Sequence, residues 1–330
     1  QRSLMDGRTP WFVPGKLGGV SLFADGLPMG PFYPAVGLSL LLPVHIALPV
    51  ACLLHAVGAL LAVRWLARGL GASPLAATLA GASFGAGPVA ATAFVAGRMD
   101  LWAGLLWFPV VLGWIVRATD CDDPRQTMRA SAAAGLALAL LLLGSPASLA
   151  VRALVGTALA LALWRVPLRA SVALLGVGLA AGLPGLLPSL LEWREAASSS
   201  GAWAGLSQGS GQGLSALQLP GFLVPRAPVP GGDASLGFLA GVAVILGLSW
   251  QGPARRPALL GGALLVALLV GGVPGQELPG NSLYLTLALV PLAAVAALGI
   301  DSLLALDRSG VGRLLRSKRA AGLACLALVA

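Results

Sequence analysis

VHIALPVACLLHAVGALLAV, Val44 to Val63, runs for twenty residues without an aspartate, glutamate, lysine or arginine. At about 1.5 Å per residue, a helix over it matches the roughly 30 Å hydrocarbon thickness of a bilayer. Similar apolar runs recur at 74–95, 101–117, 126–143, 147–164, 170–191, 236–250, 258–272 and 282–303, with a further one starting at 320. Several are short for a bilayer, which predicts segments among them that are tilted, re-entrant or longer than these bounds. With 57% hydrophobic and 10% charged residues over 330 positions, and a mean hydropathy of +0.88, no soluble core could hide this much apolar surface. The sequence therefore predicts an all-α, polytopic transmembrane bundle of nine complete spans and a truncated tenth. Its divisions are an opening segment at 1–43, helices over 44–191, a second polar segment at 192–235, and further helices over 236–330.

The formal net charge of +9 does not point to nucleic acid, because the bases sit in short links between apolar runs. Membrane lipids, above all an anionic leaflet, are the expected partner of those links. If the opening segment lies outside, the inner links hold Arg64, Arg68, Arg117, Arg125, Arg129, Arg165, Arg169, Arg255, Arg256, Arg308, Arg313, Arg316, Lys318 and Arg319, two-thirds of the 21 bases. Arg2, Arg8, Lys16, Arg98, Arg152, Arg194 and Arg226 remain outside. The positive-inside rule then puts both long polar segments on the extracytoplasmic face. Gln1 opens in a polar stretch and Ala330 falls inside an apolar run, so the sequence reads as a piece of a longer chain. The three cysteines, Cys52, Cys121 and Cys325, have neither the pairing of a disulfide framework nor the spacing of a zinc site.

The opening segment, GRTPWFVPGKLGGVSLFADGLPMGPFYP from Gly7 to Pro34, is too rich in Gly, Pro and aromatics to span a membrane. Its turns and its Trp11, Phe12, Phe23, Phe32 and Tyr33 fit an interfacial loop with an aromatic belt. They also fit a binding loop in which Asp25 serves as base and Lys16 holds a phosphate. At Gly97-Arg98-Met99-Asp100 the choice is between Asp100 as N-cap of a helix starting at Leu101 and a pair in which Arg98 binds phosphate and Asp100 joins an acid/base site. Trp107-Phe108-Pro109 is a packing kink on this reading. Arg152, in an apolar run, either snorkels to the outer interface or is a buried cation for a lipid phosphate. Glu192-Trp193-Arg194-Glu195 closes the sixth run as a polar rim or as part of a binding site. Asp120, Asp122 and Asp123 precede Pro124, which predicts an Asp123 N-cap with Pro124 as the first helical residue rather than a metal site. His45 and His55 have no partners at ligand spacing and read as packed or interfacial residues. Gly176-Val177-Gly178 reads as close helix packing.

The order of several segments resembles the YfhO-like family of bacterial multipass membrane proteins, within the C-type (GT-C) glycosyltransferase superfamily. The segments are the opening loop with its Ala24-Asp25-Gly26 and Phe32-Tyr33-Pro34, LLHAVGALLAVRWLARGLGAS (Leu53 to Ser73), GRMDLWAGLLWFPVVL (Gly97 to Leu112), GLPGLLPSLLEWREAASS (Gly182 to Ser199) and AALGIDSLL (Ala296 to Leu304). The resemblance implies an enzyme of the bacterial plasma membrane that moves a sugar from a polyprenyl-phosphate donor to a cell-wall polymer or glycolipid outside. It implies a catalytic carboxylate upstream of residue 1, or at Asp25 or Asp100. Binding residues would come from Lys16, Tyr33, Arg98, Arg152, Glu192 and Arg194. C-type enzymes sometimes carry a divalent metal, for which the sequence offers no ligand cluster. A transporter or flippase for a lipid or small solute, or an inactive scaffold, are the other readings.

Overall fold

A computed structural model describes residues 12–13, 20–21, 33–87, 90, 99–145, 147–198, 256–261 and 282–309. Two short strands, β1 (Phe12–Val13) and β2 (Val20–Ser21), pair antiparallel, with Phe12 opposite Ser21. Everything else with regular structure among the described residues is helix: α1 (Pro34–Leu41), α2 (Val44–Gly69), α3 (Pro74–Gly85), α4 (Met99–Asp120), α5 (Pro124–Gly144), α6 (Ala147–Leu163), α7 (Leu168–Ser198) and α8 (Ser282–Ser309), with a short helical piece at 256–261. Four are long and apolar enough to cross a membrane, over His45–Gly69, Leu101–Asp120, Pro124–Gly144 and Leu168–Leu187. The chain is thus built as a multi-helix membrane protein. Candidate spans at 236–250 and from 320 lie outside the described residues, as does most of 258–272.

Local chemistry sets the helix ends. Pro34 at the first turn fixes φ for α1, and Leu42, forced extended by Pro43, ends it with its N–H on the Leu38 carbonyl. This helix corrects the expectation of loop throughout 1–43. Asp123 caps α5 as expected, its side chain accepting from the Arg125 N–H at 2.9 Å behind Pro124. Helix α4 starts at Met99, so Asp100 lies inside the first turn rather than at a cap before Leu101. Of the run 74–95, α3 covers Pro74–Gly85 and is capped at Ala86, while 88–89 and 91–95 lie outside the described residues. Helices α2 and α6 end alike. Gly71, at φ 95°, and Arg165, at φ 54°, take the left-handed conformation, and the next residue's N–H returns to a carbonyl five residues back, Ala72 to Ala67 and Val166 to Leu161.

Small residues set the helix directions. Gly58 lies against Leu106 and Gly69 against Val116, so α2 and α4 run parallel. Gly81 faces Leu60 and Arg64 while Gly85 faces Ala56 and Leu60, so α3 runs antiparallel to α2. Gly135 meets Leu174 and Val177, and Gly182 meets Leu142, so α5 and α7 run parallel, forming the most extensive helix pair. Gly178 sits on Leu138 and the Gly135 carbonyl and Val177 meets Gly135, as the close-packing reading expects, whereas Gly176 in the same stretch has no neighbour at its β-position. Helices α4 and α5 form the centre, whereas α2 and α7 turn Leu53, Leu54, Leu61, Leu179 and Leu183 outward, as lipid-facing helices must.

These directions bring the tight connectors at 70–73, 121–123 and 164–167 to one end of the bundle. Arg64, Arg68, Arg117, Arg125, Arg129, Arg165 and Arg169 are all exposed there. Arg68 donates to the Ala72 carbonyl at 2.6 Å, and Arg117 lies 5.9 Å from the Trp114 ring. At the other end Gly144 meets Tyr33 and Ala103, and Gly104 meets Leu149, so the close of α5 and the starts of α1, α4 and α6 converge.

Candidate functional site

Tyr33, the last residue before α1, has its hydroxyl sunk into that convergence and is 3% exposed. Its oxygen lies 2.6 Å from His55 Nε2, and Trp107 Nε1 donates to the same oxygen at 2.7 Å. His55 Nδ1 lies 2.6 Å from the Ala51 carbonyl, one helical turn back in α2. A carbonyl only accepts, so Nδ1 carries the imidazole proton and Nε2 is the acceptor. The chain of donors therefore has one direction: Trp107 N–H to Tyr33 oxygen, Tyr33 O–H to His55 Nε2, His55 Nδ1–H to Ala51 oxygen. Burial pushes the Tyr33 phenol well above its ordinary value, against a smaller opposing effect of the Trp107 bond, and it remains a protonated donor.

Aromatic packing fixes the geometry. The Tyr33 and His55 rings are 5.5 Å apart, and Trp102 stands edge-on to His55 at 6.4 Å. Gly144 leaves room for the Tyr33 ring, since a β-carbon there would come within 2.6 Å of it. His55 is 5% exposed and Trp102 2%, so the network is largely buried, with Trp107 half-buried at its edge. Arg152 lies near the start of α6, one turn past Leu149, and is 7% exposed. It is a buried cation at the Tyr33 end that interacts with the protein around it. The Trp102 indole N–H and Ser145 hydroxyl at this end are buried without hydrogen-bond partners.

Of the residues singled out in the sequence, the structure brings Tyr33 into the network and buries Arg152 in the same half of the bundle. Lys16, Asp25 and Arg98 lie outside the described residues. Asp100 sits on α4, and Glu192 and Arg194 on α7, as backbone positions whose side chains are outside the described set. His55 and Trp107 are more than packing residues, a role that no local spacing announces because their shared partner is Tyr33, 22 and 74 positions away. Among the described residues no three His, Cys, Asp or Glu side chains come together for a metal ion, and both His55 ring nitrogens are engaged. The described residues thus do not fit a divalent metal. A scan against protein-family models and a search of curated proteins find no match.

A second polar contact closes the opposite end. Asp301 of α8 accepts from the Ser73 N–H at 2.5 Å and from the Ser73 hydroxyl, and Ser73 in turn caps α3 by accepting from the Ala76 N–H at 3.3 Å. One carboxylate thereby ties α8 to the α2–α3 turn across 228 positions of sequence. Asp301→Ala leaves two donors without their acceptor and is expected to lower unfolding stability by about 1–3 kcal/mol. Asp301→Asn, which keeps one acceptor oxygen, should lose less. Thermal unfolding in detergent measures both, and an unchanged midpoint for Asp301→Ala would remove the tie from the account.

Proposed function

We propose that this chain is a YfhO-like membrane glycosyltransferase that moves a sugar from a polyprenyl-phosphate donor to an acceptor outside the bacterial plasma membrane, a cell-wall polymer or glycolipid. The observation that carries the reading is the asymmetry of the bundle. Exposed arginines crowd the connector end, while a buried cation, Arg152, and a largely buried polar network lie at the end that carries Tyr33. Under the positive-inside rule the connector end is cytoplasmic. The opening segment and 192–235 then share the outer face, the chain makes about nine spans, and Arg152 is placed for a lipid phosphate entering from the outer leaflet.

In this scheme Arg152, with Arg98, holds the donor phosphate, and a carboxylate takes the proton of the acceptor hydroxyl. The acceptor oxygen bonds to the anomeric carbon as the bond from that carbon to the phosphate oxygen breaks. Polyprenyl phosphate leaves, its charge stabilised by the same cation. Asp25, Asp100 or a carboxylate upstream of residue 1 is the base.

Transfer of labelled sugar from a polyprenyl-phosphate donor by purified protein in liposomes tests this directly. Asp25→Asn or Asp100→Asn is expected to lower the rate about 10²- to 10⁴-fold if that residue is the base. Undiminished rates in both would shift the base upstream. No transfer by the unaltered chain, with movement of the intact labelled lipid between leaflets instead, would replace the enzyme by a flippase.

A further inference from the structure

We propose that the outward stripe of α7 headed by Arg165 and Arg169 is a binding site for a phospholipid with an anionic headgroup. Its phosphate lies on the two arginines and one acyl chain runs along Val172, Gly176 and Leu179. The inference does not rest on the transferase reading.

Arg169, Val172, Gly176 and Leu179 are spaced i, i+3, i+7 and i+10, so they line one face of α7. All four are exposed. A different face does the packing: Leu174 meets Gly135, Gly178 meets Leu138 and Gly182 meets Leu142, all on α5. Arg169 stands at the start of the membrane-crossing part of the helix, Leu168–Leu187, and so at headgroup level. From there to Leu179 the helix rises about 15 Å, half of the roughly 30 Å hydrocarbon layer. The stripe thus has the length of one leaflet, with its charge where the headgroup is.

The fold does not account for Gly176. Gly178, Gly182 and Gly185 each lie against α5, where a β-carbon would press on Leu138, Leu142 or Leu143, whereas nothing lies within 4 Å of the β-position of Gly176. A glycine inside a helix weakens it relative to alanine, and no neighbouring helix needs this one. It leaves a notch one side chain deep on the surface that lipid covers. An acyl chain can lie closer to the backbone there than beside the branched side chains of Val172 and Leu179.

Nor does the fold account for the charge. No aspartate or glutamate occurs between Asp123 and Glu192. The acids at this end are Asp120, Asp122 and Asp123 around the α4–α5 connector, with Asp123 capping α5, and Asp301, which holds Ser73. Arg125 and Arg129 follow the connector acids directly, while Arg165 and Arg169 have none on their own stretch. Arg169 also lies in the first turn of α7, where the helix dipole disfavours a cation. A phosphate reverses that balance, since two guanidinium groups offer forks of donors to its oxygens. An anionic lipid brings that phosphate with a chain attached. A second copy of this chain is the poorer occupant, because a two-fold axis along the membrane normal would set Arg169 against Arg169.

The test titrates lipid-stripped protein in detergent with phosphatidylglycerol, or with phosphatidylcholine of the same chains, and counts bound lipid by native mass spectrometry. Arg165→Gln with Arg169→Gln removes the charge from the stripe. Gly176→Leu fills the notch and leaves the charge. Arg125→Gln with Arg129→Gln removes two charges from the same end of the bundle but not from the stripe.

The unaltered protein is expected to retain one phosphatidylglycerol about tenfold more tightly than phosphatidylcholine, whose choline cation offsets its phosphate. The α7 arginine pair should lower that affinity about 25-fold, or about fivefold for each charge. Gly176→Leu should lower it at least about threefold without lowering the unfolding midpoint in lipid-free detergent. The α5 arginine pair should leave it within about twofold. Equal retention of the two lipids, or an equal loss in both arginine pairs, would leave only the diffuse attraction of a basic surface and overturn the site. Full affinity in Gly176→Leu would overturn it as well, because the notch would then be idle. A dimer that Gly176→Leu dissociates would give the stripe to a second copy in place of lipid.

Discussion

Gly85→Val should separate α3 from α2 and cost more stability than any other single change considered for this fold. A β-carbon at Gly85 would stand 2.6 Å from the Ala56 carbonyl oxygen and 2.8 Å from the Leu60 nitrogen, and both are backbone atoms of a neighbouring helix. A side-chain neighbour can rotate away, but a helix backbone yields only by moving the helix. Alanine there is expected to cost about 1–3 kcal/mol by overpacking. Valine adds two further methyl groups against the same wall and should exceed that range. Gly81, one turn earlier, meets the Leu60 carbonyl in the same way, so Gly81→Val with Gly85→Val should abolish the folded protein. Gly176 is the control: nothing lies within 4 Å of its β-position, and Gly176→Ala should be neutral or stabilise by up to about 1 kcal/mol through helix propensity. Thermal unfolding in detergent ranks the three, and equal midpoints for Gly85→Val and Gly176→Ala would mean that α3 does not pack on α2 as described.

How much of this was legible beforehand depends on whether the deciding partner is near in sequence. The start of α5 could be read because both parts of the signal, Asp123 and Pro124, are adjacent and act on the next turn. The shared end of the arginine-bearing connectors could be read because a tight turn between apolar runs reverses the chain whatever its tertiary setting. The end of α3 at Gly85 was hidden by hydropathy, which averages over Ala86 and Gly87 and registers apolarity rather than the backbone freedom of glycine. Helix α1 escaped because a segment dense in turn formers was assigned by composition, although Pro34 and Pro43 mark both its ends. His55, Trp107 and Asp301 looked ordinary for the opposite reason. Each is defined by a single atom supplied from far along the chain, and neither period nor spacing encodes that. The Tyr33–His55–Trp107 network and the Asp301 tie are therefore tertiary facts, and they stand at opposite ends of the bundle.

Arg152→Gln is expected to lower kcat/KM for the labelled polyprenyl-phosphate donor by about 10²-fold or more, with the larger part in KM. Arg152 is buried near the start of α6, in a stretch with no other charged residue between Ala147 and Leu163. Taking a guanidinium out of water costs several kcal/mol, which interactions with the surrounding protein offset. In the proposed scheme a phosphate arriving from the lipid phase adds charge and paired acceptor oxygens to that planar fork of donors. The variants separate the charge from the fork. Arg152→Lys keeps the cation as a point charge and should recover part of the loss, whereas Arg152→Gln keeps hydrogen bonding without charge and should recover none. Stability discriminates the purely structural role: if Arg152 only supports the fold, Arg152→Gln lowers the unfolding midpoint and leaves KM for the donor unchanged. If it holds the donor phosphate, KM rises whatever the change in midpoint, and added polyprenyl phosphate, the leaving product, protects the unaltered protein against heat but not the Gln variant.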